Sequence, residues 1–118
     1  MNDEAFFDDH PVARPIYRAV KAAVAAVGAA EVRVSKSQVG FYRNHPFAAV
    51  WKPGQYLAGE HPPLVLTVFL RDRDPSPRWK EVAEPGHGRF AHHFELPSPD
   101  EVDDEVRARL REAWNQAG

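Results

Sequence analysis

Two amphipathic stretches frame a middle region of alternating and apolar runs. From Pro11 an alanine-rich segment sets Ile16, Val20, Val24 and Val27 at helical spacing, turns Arg14, Arg18 and Lys21 toward solvent, and meets a stop at Gly28. Pro15 lacks an amide and crowds the carbonyl four residues back, so this first helix either begins near Arg14 or kinks there. At the other end, Ser98-Pro99-Asp100-Glu101 reads as a capping box with proline at the first helical position, and Val102, Val106, Leu110 and Trp114 follow as an apolar stripe. Asp103 with Arg107, and Glu105 with Arg109, are spaced to pair across a turn.

Between the helices the period changes to two. Glu31 to Lys36 alternates, with Val32 and Val34 on one face, and Val39 to Arg43 resumes the pattern after a short link, which predicts a hairpin or a bend in one long strand. Phe47 to Trp51 follows the Asn44-His45-Pro46 turn signal. The prolines and glycines between 52 and 63 then predict a surface loop. Leu64 to Leu70 is a nearly continuous apolar run, the mark of a central strand. After a charged loop from Arg71 to Pro77, Trp79 to Val82 reads as a short edge strand interrupted by Pro85-Gly86-His87-Gly88. In the last strand Phe90, His92, Phe94 and Leu96 share one face and His93 points the other way. The order predicts an α+β two-layer sandwich: helix, about five mostly antiparallel strands, helix, with both helices on one face. One domain over 1–118 is expected, with an acidic segment over residues 1–10 that docks through Phe6 and Phe7 rather than fraying.

Composition narrows the function classes. The chain has 118 residues, 43% of them hydrophobic, a formal charge of -2 and no cysteine. That leaves room for one core and removes disulfides, thiolate metal sites and cysteine nucleophiles. Charge is unevenly placed: residues 94–118 carry seven acids and three arginines, whereas 30–93 carry nine Lys or Arg and six acids. A mildly basic centre thus sits between acidic ends, which argues against a nucleic-acid binder. The acidic amino terminus is unlike a secretory signal and no apolar run reaches 18 residues, so a cytoplasmic protein without a membrane partner is expected.

Val32-Arg33-Val34-Ser35-Lys36-Ser37-Gln38-Val39-Gly40-Phe41 and Asp74-Pro75-Ser76-Pro77-Arg78-Trp79-Lys80-Glu81, with Phe6-Phe7 ahead of His10-Pro11, resemble the bacterial family catalogued as domain of unknown function 5655. The resemblance covers nearly the whole chain and implies a compact domain with no assigned reaction. More distantly, the element order resembles the frataxin-like fold, an analogy of architecture alone.

The chemistry-bearing residues fall into a few groups. Lys36, Arg43 and Lys52 from the first hairpins, with Arg71, Arg73, Arg78 and Lys80, would form an anion site if strand ends bring them together; otherwise they are ordinary solvated surface. Lys36, Arg43, Arg78, Trp79 and Lys80 are the expected ligand-binding set. His92, with Lys36, is the candidate acid-base pair, although an inward histidine is more commonly hydrogen-bonded in a core. The remaining histidines lie on separate loops without metal-ligand spacing, and no metal or cofactor is expected. Tyr42, Trp51, Tyr56 and Trp79, interleaved with cations, would suit single-stranded nucleic acid, but a domain this size needs such aromatics in its core. Iron binding by Asp100, Glu101, Asp103, Asp104 and Glu105, the reading the fold analogy suggests, competes with their spacing for capping and ion pairing. Serines lack a nucleophile elbow. The expectation is a non-catalytic module for a small anionic ligand or a partner protein, the alternatives being an acid-base enzyme using His92 and Lys36, or nucleic-acid binding through the basic aromatic face.

Overall fold

A computed structural model describes residues 3–55, 61–79, 81–86 and 88–118. Helix α1 (Ala13–Val27) and helix α2 (Asp104–Gln116) bracket six strands: β1 (Glu31–Val34), β2 (Val39–Tyr42), β3 (Pro46–Trp51), β4 (Leu64–Leu70), β5 (Glu81–Gly86) and β6 (Arg89–Leu96). They form one antiparallel sheet in the order β1-β2-β3-β4-β6-β5. Both helices pack on one face, α1 through Ile16, Tyr17, Val20 and Val24 and α2 through Val106, Leu110 and Ala113, against Phe41, Val50, Leu66, Val68 and Phe94. The α+β two-layer expectation holds, with six strands rather than five. The sixth is β5, which continues through Pro85: its partner β6 shifts register between Ala83 and Gly86, and proline is tolerated because β5 is an edge strand.

Local chemistry explains most boundaries. Pro15 is the third residue of α1, where an amide has no intrahelical acceptor to lose, so the helix starts straight at Ala13. The β1–β2 connection is a hairpin in which Ser35 Oγ accepts from the amides of Ser37 and Gln38. Phe6 and Phe7, in a 3-10 turn over Glu4–Phe7, are buried, and the Phe7 ring stacks on Tyr17 at 4.7 Å. The segment is held outside as well: Glu4 pairs with Arg18, Asp3 with Lys21, and Asp8 with Arg14.

The start of α2 departs from the sequence reading. Pro99–Glu101 form only a 3-10 turn, Ser98 makes no side-chain cap, and Asp103 caps α2 by accepting from the Val106 amide at 3.2 Å. Val102 leaves helical geometry at ψ 74 to bury its side chain in the core, and the helix begins anew after it. The expected Asp103–Arg107 and Glu105–Arg109 pairs do not form, because both acids turn to Arg78. Among the described residues, no helix is long and apolar enough to cross a membrane.

Candidate functional site

The chain leaves β4 at Leu70, passes the position of β6, and enters β5 on its far side. The intervening loop, 71–79, therefore crosses the helix-bearing face of the sheet beside α2. Trp79 is its anchor: the indole is 7% exposed, with its ring centre 3.8 Å from that of Phe94 and 4.7 Å from that of His92. Its Nε1 donates to Asp74, and Asp74 also receives Arg109 from α2. Ser76 donates to Glu105. Arg78 completes the clasp: Nη1 donates to both oxygens of Asp103 at 2.9 and 2.7 Å and to Glu105 at 3.2 Å, while Nη2 donates to the Glu101 carbonyl at 2.7 Å. Partial burial works against the charge of this guanidinium, but the bonds to Asp103 and Glu105 outweigh it and raise its pKa. Burial likewise pushes the Asp103 carboxyl up, and Arg78 more than reverses that, leaving it below its ordinary range.

His92 lies beneath this loop, fully buried. Its Nδ1 lies 3.1 Å from the Phe90 carbonyl and so carries the proton, while Nε2 accepts from the Asp74 amide at 2.9 Å. Both nitrogens are engaged, Nε2 in positioning the loop and Nδ1 within its own strand. Burial holds its pKa below the ordinary histidine value, which fits the neutral tautomer this geometry requires. On the opposite face, Trp51 donates to Thr67 Oγ1, which lies 2.8 Å from His93 Nδ1.

The expected ligand-binding residues do not converge. Lys36 is in the β1–β2 hairpin, whereas Arg78 packs against Phe94 of β6, three to four strand spacings or about 14–19 Å across the sheet. The same separation removes the His92–Lys36 acid-base pair, which needs hydrogen-bond reach directly or through one water. Arg43 follows β2 at the end away from Lys36, where it stacks 3.6 Å over the Trp114 ring and donates to the Trp114 carbonyl. Trp79 is packed in the core and Arg78 is bonded to the start of α2, and Lys80 and Tyr56 lie outside the described residues. The aromatics are split too, with Tyr42 beneath Arg33, Trp51 on the outer face and Trp79 in the core. No group of three metal-ligating side chains occurs among the described residues; of the acids around the start of α2, Glu101, Asp103 and Glu105 are engaged by Arg78 and Asp104 by Arg107.

A different cationic site emerges where β3 begins, β4 ends, β6 begins and α2 terminates. Helix α2 has no basic residue in its own last turn. Its final carbonyls are capped from outside: Trp114 by Arg43, Ala117 by the Asn44 amide, and Gln116 by Arg71 Nη2 at 2.9 Å. Beside these caps opens a cleft of about 300 Å³, floored by Phe47 and Phe69 and bordered by His45, Arg71, Arg89 and Gln116. Arg89 lies 4.1 Å over the Phe69 ring. Among the described residues no carboxylate lines the cleft, and Glu84 accepts from the Gly88 amide. Among the described residues neither Arg71 nor Arg89 forms an ion pair. Sequence reasoning included Arg71 and missed Arg89 and His45, because their proximity depends on the pairing of Leu70 with Phe90, which no local pattern announces.

The model of one family, described as domain of unknown function (DUF5655), matches residues 3–117, and the chain belongs to that family. No curated protein and no solved structure matches it.

Proposed function

We propose that this member of a family without an assigned activity is a non-catalytic binding module that holds a small anion in the strand-end cleft. The observation that carries the reading is the gathering of two arginines, Arg71 and Arg89, with His45 around an apolar floor that no carboxylate lines among the described residues. Guanidinium groups hold phosphate or carboxylate oxygens through paired N–H donors, and an apolar floor strengthens such contacts by excluding water. Arg71 is turned toward the cleft by its backbone and side-chain bonds to Gln116, and Arg89 by its stack on Phe69, so neither needs ordering on binding. A volume of about 300 Å³ suits a small molecule. The separation of His92 from Lys36, and the engagement of both His92 nitrogens, favour binding over acid-base catalysis.

Isothermal titration with inorganic phosphate at physiological ionic strength tests the proposal. Saturable binding with a Kd on the order of 1 mM or tighter is expected, lost in Arg89→Ala. Equal heats for the two proteins would refute the site.

A further inference from the structure

At the opposite end of the sheet, just beyond β3, Lys52 is 4% exposed. A buried ammonium requires partners, and its partners come from the amino-terminal segment. Nζ donates to the Phe6 carbonyl and to Asp9 Oδ1 at 2.6 Å, and lies 4.3 Å from the centre of the Phe6 ring. The two partners differ in how firmly they are held. Phe6 belongs to a turn whose side chains are in the core, whereas the Asp9 side chain is 74% exposed and the residue lies beyond that turn. A cavity of about 290 Å³ adjoins the pair, lined by Ala5, Asp8, Ser35 and Lys36 together with Phe6 and Lys52.

We propose that the Lys52 ammonium, held in place by the Phe6 carbonyl, forms a carboxylate-binding site whose present occupant is the chain's own Asp9, displaceable by an external carboxylate. The exchange is chemically even: one carboxylate leaves the ammonium for water as another arrives. It leaves Phe6 and Phe7 seated, because their burial does not depend on Asp9. Hydrogen bonding by Lys52 lowers the Asp9 pKa, in keeping with a carboxylate held as its anion at neutral pH. The cavity provides room for the remainder of a ligand. This site is distinct from the strand-end cleft and stands or falls independently of it.

The test is chemical rescue in the full chain. In Asp9→Ala, sodium acetate titrated against sodium chloride at constant ionic strength is expected to raise the melting temperature saturably and to shift the amide resonances of Ser35, Lys36 and Lys52. In the unaltered protein the same shifts are expected only at acetate concentrations at least tenfold higher, because Asp9 competes. Asp9→Asn, which retains side-chain volume and a neutral acceptor, is the second variant should the alanine protein fold poorly, and the same acetate response is expected of it. Absence of a saturable, acetate-specific response in the folded variant, or equal response in the unaltered protein, would overturn the proposal.

Discussion

Replacing Arg78 with methionine removes the clasp between the 71–79 loop and the start of α2 while keeping much of the side-chain volume. The guanidinium is 23% exposed and its acidic partners Glu101, Asp103 and Glu105 are 42–47% exposed, so the freed carboxylates rehydrate in part. A charge-assisted hydrogen bond in a dry site is worth ~1.5–3 kcal/mol, and solvent screening at this half-wet site reduces that sharply. Two bonds to Asp103 and one to the Glu101 carbonyl survive the discount best, and their loss leaves three acids clustered. The expected cost is ~2–3 kcal/mol. With ~2.1 cal/mol/K of unfolding entropy per residue, a chain of this length loses about 8–12 °C in melting temperature.

Thermal denaturation followed by circular dichroism at pH 7 and pH 3 reads this out. Because Arg78 holds the Asp103 carboxyl below its ordinary range, the stabilisation is present above the unfolded carboxylate pKa and is lost as pH falls through the lower folded value. The gap between the two proteins should therefore narrow at pH 3, leaving the part due to the Glu101 carbonyl bond. Arg78→Lys, which keeps the charge but cannot bridge three groups, should recover less than half of it. A shift under 2 °C at pH 7 would refute the structural role and return Arg78 to the ligand-binding set.

His92→Leu removes the bonds to the half-buried Asp74 amide and Phe90 carbonyl and should cost ~1–3 kcal/mol by denaturant unfolding. Since burial depresses the His92 pKa, the unfolded chain binds more protons below about pH 6.5, so the native protein loses stability from pH 7 to pH 5 by an increment that the leucine variant lacks. At Gly28 an added Cβ would lie 2.5 Å from the Trp114 ring, which is pinned by its Nε1 bond to Ala29 and by Arg43 above it; Gly28→Ala should cost ~1–3 kcal/mol in thermal unfolding. Arg71→Ala should lower stability by ~1 kcal/mol through the lost helix cap, whereas Arg89→Ala should change it by less than ~0.5 kcal/mol, a difference that calorimetry resolves.

The strands and both apolar helix faces were legible because each rests on a period: Leu64 to Leu70 forms β4 over the span its apolar run predicts, and alternation places His92 inward and His93 outward. The start of α2 was not, since the capping box at Ser98 is a local signal overridden by burial of Val102 and by the long-range pull of Arg78 on Asp103 and Glu105. The spacing of the expected ligand-binding residues was not legible for a related reason. Lys36, Arg43 and Arg78 form a plausible group in one dimension, but a sheet whose order puts β6 between β4 and β5 spreads them across its width and both ends. Lys52 read as surface because its burial depends on Phe6 and Asp9, more than forty positions earlier. The cleft at His45, Arg71 and Arg89 likewise exists only once the Leu70–Phe90 register is known.

Nitrogen-edited NMR during a phosphate titration at constant ionic strength decides whether the strand-end cleft receives an anion. Saturable shifts confined to the amides of His45, Phe69 to Arg71 and Gly88 to Arg89, absent in Arg89→Ala, are expected. Shifts spread evenly over the basic surface, or centred on Arg78 and Trp79, would contradict it.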